Sequence, residues 1–275
     1  MSNIHPTAIV DPRAQLAGDV RVEAYAVIGA GVIIGPGSVV FSHSILQGPT
    51  RIGANCQIGP AAYVGLDPQH LHFLSQTDRP PTWLVVGDRT IIRETATLHR
   101  STKAGEENAT RVGHDCLVMA SAHVAHDCRI GNHVTLANAV MMGGHCQVGD
   151  RVFLGGGCGV HQFTRIGRLA IISGNEAVSR DVPPFAATRY GGLKGYNAIG
   201  CRRSGLSHDA LKSIRQAYYC IHTNRTTRRI VKAIEETVPQ TAEVRELVDF
   251  MSHSKRGMQP SIRFIRSFMY EAPEG

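Results

Sequence analysis

Aromatic residues make up only 6% of the 275 positions, with a single tryptophan. No apolar stretch approaches the roughly 20 residues that cross a bilayer. The opening MSNIHPTAIV lacks the charged-then-apolar pattern of a secretion signal. We therefore expect a cytoplasmic protein with no membrane insertion. No Cys-x-x-Cys pair occurs among the seven cysteines, so neither a zinc cluster nor a disulfide framework is indicated. Lys and Arg number 29 against 22 Asp and Glu. That surplus invites an acidic partner and by itself says no more; nucleic acid is not expected. With 43% apolar residues the chain can bury a sizeable core, which excludes disorder. Glycine is plentiful at 29 residues and points to tight, repeated turns.

A period of six runs through the first two thirds. Every sixth residue from Ile4 to Val64 is aliphatic. The pattern breaks, returns at Val86, Ile92 and Leu98, breaks again, and resumes for twelve positions from Val112 to Val178. A helix repeats near 3.6 residues and a strand near 2; a strict six marks the hexapeptide pattern of a parallel β-helix. Small residues recur four positions later, as at Ala26, Ser38, Cys56 and Cys116. The implied shape is a triangular prism with 18 residues per coil. The aliphatic side chain points inward and the small residue fills the corner. Coils stack at about 4.8 Å, each burying its faces against its neighbours.

Two segments, 65–85 and 99–111, cannot keep the coil phase and should be loops ejected from a corner, where function tends to be placed. After Pro183-Pro184 the composition changes. Ser207 suits the cap of a helix carrying Leu211, Ile214, Tyr218 and Ile221 on one face. Segments 226–237, 241–252 and 260–270 also read as helical. We divide the chain into a β-helix over 1–190 and a helical domain over 191–275. The latter holds 14 Lys and Arg against 8 Asp and Glu, and so most of the surplus charge.

Five cysteines occupy the small corner position and read as buried filler. Fourteen histidines are more informative. Folded onto 18-residue coils, His126, Asp127, Gly143, Gly144, His145, His161 and Gln162 form one patch over three coils, roughly 10 Å tall. The patch lies on a prism exterior, so a neighbouring subunit is expected to wall it. His126 could take a proton from a hydroxyl, Asp127 could orient the ring, and the Gly144 amide could hold an oxyanion. Spacing alone leaves two alternatives: a solvated polar face and a three-histidine zinc site as in γ-type carbonic anhydrases.

The segments Ser121-Ala-His-Val-Ala-His-Asp-Cys128, Met142-Gly-Gly-His145 and Val160-His-Gln-Phe163 resemble the acyl-carrier-protein-dependent UDP-N-acetylglucosamine O-acyltransferases, which open lipid A synthesis. His5-Pro-Thr-Ala-Ile-Val10, Ile92–Arg100, Asp181-Val-Pro-Pro184 and Asn197 with Arg202–Ser207 fit as well. The resemblance implies a mainly β fold, a left-handed β-helix followed by a small helical domain, assembled as a homotrimer with active sites between subunits. It implies 3-hydroxyacyl transfer from acyl carrier protein to the glucosamine 3-hydroxyl, with no metal or other cofactor. His126 matches the general base, Asp127 its orienting partner and Gly144 the oxyanion donor. His123, His145, His161 and Gln162 match substrate contacts, and Asn197 and Arg203 match residues at the nucleotide end, where a guanidinium fork suits a diphosphate. Gly174 matches the position that reads acyl length; a glycine there leaves the groove open to a longer chain.

One departure stands out. The family loop carries Gln-Asp-x-Lys, whose charges contact the sugar; here it reads Gln69-His70-Leu71-His72. Imidazoles at His70 and His72 still donate and accept hydrogen bonds. Sugar recognition is altered, which keeps open a different sugar nucleotide, such as a 3-amino analogue, or a non-catalytic scaffold.

Overall fold

The sixth-position aliphatic residues lie in short strands, which they end everywhere except at Val64 and Leu98, and the strands stack into three parallel sheets. In the computed structural model, which describes residues 3–263, these sheets hold eleven, nine and eight strands. Partners sit one coil apart: Ile4 pairs with Val22, Val22 with Val40, and Val40 with Ile58. The aliphatic row is the core, and Val22, Ile28, Ile34, Val40, Leu46 and Ile52 are all at most 2% exposed. The first coil has a neighbour on one side only. Ile4 is accordingly 40% exposed, and Val10 and Leu16 are half-buried.

The corners explain the small residues. Ser38, Ser44, Cys56, Cys116 and Cys128 are buried, but they are more than filler. The Ser44 hydroxyl donates to Gly59 O at 2.8 Å. The thiols of Cys56, Cys116 and Cys128 reach Gly87 O, Gly131 O and Gly143 O at 3.1–3.2 Å. Each such bond satisfies a carbonyl that the corner turns out of the strand ladder. Gly59 shows why glycine precedes a corner: a Cβ there would meet the Arg93 carbonyl carbon at 2.8 Å. The next corner residue takes left-handed backbone. Among the described residues, eighteen non-glycine residues adopt it, nearly all at coil corners, with φ from 51° to 68°. They include Leu169 and Phe163, types that rarely adopt it alone.

Two loops break the 18-residue step. Ile52 pairs with Val86 and Val86 with Val112. The first excursion follows strand Tyr63–Leu66, contains the short helix α1 (Leu71–Leu74), and ends at strand Leu84–Val86. The second lies between strands Thr97–His99 and Thr110–Val112. Strand pairing thus continues a residue or more into each segment that the repeat pattern leaves out. The loops meet through an antiparallel bridge between Thr82 and Ala104.

The β-helix ends in a hairpin. Ala186–Arg189 pairs antiparallel with Gly192–Tyr196, which extends the eleven-stranded sheet. Residue 191 therefore lies in the hairpin turn. Helices α2 (Ala198–Arg203), α3 (His208–Thr223), α4 (Thr227–Thr237) and α5 (Ala242–Ser252) follow. The Ser207, Thr226 and Thr241 side chains accept from the Ala210, Arg229 and Val244 amides as N-caps. Ile214, Tyr218, Ile221, Ile234, Val244 and Leu247 pack one core continuous with that of the β-helix. Tyr218 OH donates to Pro184 O at 2.7 Å, and the Arg165 guanidinium lies 4.0 Å from the Phe250 ring centroid, tying the helices to the last coils. Most of the helix expected over 260–270 lies outside the described residues. Among the described residues, no helix is long and apolar enough to cross a membrane.

Candidate active site

Asp127 occupies a left-handed corner at φ 61°, as do His145 and Phe163 one and two coils on. His126 precedes it and is buried at 8% exposure. The His126 Nδ1 lies 2.7 Å from Asp127 Oδ2. A carboxylate can only accept, so Nδ1 carries a proton, and in the neutral tautomer Nε2 is the nitrogen with the lone pair. Among the described residues Nε2 has no hydrogen-bond partner. Above it lies Gly144, where a Cβ would sit 2.6 Å from His126 Cε1 and 2.9 Å from Nε2. Glycine is required for the ring to occupy this place. The Gly144 amide has no protein acceptor among the described residues.

An open cleft of about 630 Å³ runs past this dyad, lined by Gln69, His123, His126, Gly143, Gly144, His161 and Gln162 among others. The outward-facing side chains of Met141 and Ala177 add apolar surface to its lining. A histidine array surrounds the base. The His126 ring centroid is 5.4 Å from that of His70 and 5.2 Å from that of His145, both edge-on. His145 stacks on Phe163 at 4.5 Å, and its Nε2 stands 3.6 Å from Asp127 Oδ2. His123 meets Thr97 Oγ1 at 2.7 Å, and its ring lies 5.2 Å from that of His99. Burial, reinforced by His99 and His126, pushes the His123 pKa down to about 4. Burial likewise lowers His99 and His145. These rings are neutral at physiological pH and act as hydrogen-bonding walls. Burial pushes the Asp127 carboxyl up, but hydrogen bonds from His126 and Thr102 outweigh it and hold it below the usual carboxylate range.

The structure thus brings together His126, Asp127, Gly144, His123, His145, His161, Gln162, Gln69 and His70. His70 also caps α1, its Nδ1 accepting from Phe73 N. His72 is exposed, its ring centroid 6.4 Å from that of His70. Three other residues lie elsewhere. Gly174 is exposed on a different corner, beside Gly156. Asn197 caps α2: its Oδ1 accepts from Gly200 N and its Nδ2 donates to Leu169 O. Arg203 is exposed in the last turn of α2. The repeat pattern did not disclose Thr102 or Thr110. Thr110 opens the strand Thr110–Val112 one coil below, and its hydroxyl accepts the Asp127 amide at 2.8 Å; it falls in segment 99–111, which the repeat pattern leaves out. Thr102 lies in an ejected loop, which carries no period.

His126, Asp127 and His145 each offer a ligand atom within 4.8 Å of the others. This set is two histidines and a carboxylate, and both carboxylate oxygens already accept from Thr102, one also meeting His126.

Comparison with known proteins gives the same picture from two directions. Residues 181–259 match the family model described as UDP-N-acetylglucosamine O-acyltransferase, domain 2, and residues 109–144 match the bacterial transferase hexapeptide repeat. The chain is 39% identical to an acyl-[acyl-carrier-protein]–UDP-N-acetylglucosamine O-acyltransferase of Syntrophobacter fumaroxidans, covering 93% of this chain and 98% of the relative. A protein of the same name from Halorhodospira halophila is 41% identical over 94% of this chain and 99% of its own. Among solved structures, LpxA from Acinetobacter baumannii superposes with a TM-score of 0.85 at 37% identity, over 93% of this chain and 98% of that one. The UDP-N-acetylglucosamine acyltransferase of Francisella novicida gives 0.86 at 31% identity, over 94% of both.

Proposed function

The chain belongs to the acyl-[acyl-carrier-protein]–UDP-N-acetylglucosamine O-acyltransferase family, and on that footing we propose that its cleft transfers a 3-hydroxyacyl group to the glucosamine 3-hydroxyl of UDP-N-acetylglucosamine. The observation that carries the chemistry is the 2.7 Å His126–Asp127 bond, which leaves Nε2 free on the ring that packs against Gly144. The acyl group arrives as a thioester on acyl carrier protein. His126 Nε2 takes the proton from the sugar hydroxyl as that oxygen bonds to the thioester carbonyl carbon. The negative charge moves to the carbonyl oxygen, where the Gly144 amide stabilises it. Collapse breaks the carbon–sulfur bond, and His126 returns its proton to the departing thiolate. Asp127 compensates the imidazolium charge throughout. No metal or redox cofactor enters these steps.

The acyl carrier protein is acidic, and the surplus positive charge of residues 191–275 offers it a docking surface. The cleft is open along one side, and Asn197, Arg203 and Gly174 stand away from His126 within one chain. A homotrimer, with a second copy closing the cleft, supplies the missing wall. The test is mass-spectrometric. Purified protein is given UDP-N-acetylglucosamine or its 3-amino analogue with 3-hydroxyacyl carrier proteins of several lengths. Acylated UDP-N-acetylglucosamine is the expected product. Acylation of the amino analogue alone would show that His70 and His72 have redirected the sugar site, and no product from any pair would refute the reading.

A further inference from the structure

The Asp127 carboxylate is held by more than His126. Its Oδ1 accepts from the Thr102 amide at 3.1 Å, and its Oδ2 accepts from the Thr102 hydroxyl at 2.8 Å as well as facing His126 Nδ1 at 2.7 Å. Thr102 stands on the second ejected loop, 25 residues before Asp127. That loop is clamped on both sides of Thr102. The Ser101 amide donates to Trp83 O at 3.1 Å, and the Ser101 hydroxyl accepts from Trp83 N at 3.3 Å. Ala104 bridges to Thr82. Beyond it, Glu106 accepts two bonds from Arg51, each 3.0 Å. The two loops therefore form one rigid strap against the corner that carries the dyad.

A carboxylate bonded only to an imidazole can turn about its last torsion, which has broad minima. Two donors from one residue, an amide on one oxygen and a hydroxyl on the other, remove that freedom. We propose that Thr102 is a positioning residue for the acyl transfer: its amide and hydroxyl fork fixes the Asp127 rotamer that aims His126 at the acceptor. This rests on the reading of His126 as the general base. The ejected loop then serves the chemistry from outside the repeat, as a support that orients the groups in direct contact with substrate.

The experiment compares Thr102→Val, Thr102→Ser and His126→Ala with the wild type, using acyl carrier protein and UDP-N-acetylglucosamine across pH. Valine is close in shape and loses only the hydroxyl. Thr102→Val should lower kcat roughly 10-fold while leaving the KM for the sugar nucleotide within about twofold. It should also move the acid limb of kcat to higher pH. Losing a donor leaves the carboxylate oxygen more basic and strengthens its hold on the imidazolium. Thr102→Ser should restore both. A loss that is equal at every pH, or a serine variant as slow as the valine one, would show packing by the γ-methyl and overturn the inference. So would a Thr102→Val enzyme matching the wild type while His126→Ala is inactive. An active His126→Ala enzyme would instead remove the reading on which the inference rests.

Discussion

A single side-chain hydrogen decides the geometry at Gly144. Any Cβ at this position comes within 3 Å of the His126 ring, so the ring must move. The move is cheap for folding, because one side chain gives way. It is costly for catalysis, where a displacement of about 1 Å can lower turnover by 10²-fold. Gly144→Ala keeps the backbone amide. We therefore expect kcat to fall by roughly that factor while the thermal midpoint stays close to the wild type; measuring both on one preparation checks it. Unchanged kcat would mean that the ring does not need this position. The juxtaposition of His126, Asp127 and Gly144 was legible in the sequence, because an 18-residue coil stacks positions 126, 144 and 162. That His126 is buried was not. Its burial comes from His70 and the ejected loop, whose path no period encodes.

At the scale of the strand, Thr97–His99 and His123–Val124 pair in register and bring His99 and His123 ring to ring. Both titrate below the ordinary value of 6.5, His123 at about 4, with burial the main cause. The unfolded chain therefore binds more protons than the folded one between pH 6.5 and about 4. Stability from these rings is full above 6.5 and is lost as pH falls through that window. Thermal midpoints at pH 7.5 and 5 should show the decline, and His123→Gln should make it shallower. An equally steep decline in the variant would assign the acid sensitivity to other groups. The strands themselves were the most legible feature, since the inward aliphatic row fixes the sheet, the register and the coil length together. The left-handed corner residues were not, because Leu169, Phe163 and Tyr25 have no local preference for that backbone. The stacked coils impose it.

On the scale of the whole molecule, a β-prism carries the His126 cleft at one corner, and the chain's surplus positive charge is concentrated in residues 191–275. The helices were legible from Ser207 and the apolar face after it. The attachment was less so, because Tyr218 and Arg165 reach across to the last coils over distances in sequence that no pattern reveals. A cleft open on one side, with Gly174, Asn197 and Arg203 set away from the base, fits an enzyme completed by copies of itself. The dyad nevertheless lies within one chain, and turnover should depend on it alone for proton transfer. The most direct measurement is the rate of acyl transfer from 3-hydroxyacyl carrier protein to UDP-N-acetylglucosamine by His126→Ala, in a preparation with the wild-type thermal midpoint. A fall of roughly 10²- to 10⁴-fold is expected for loss of a general base; full turnover would contradict the assignment of His126.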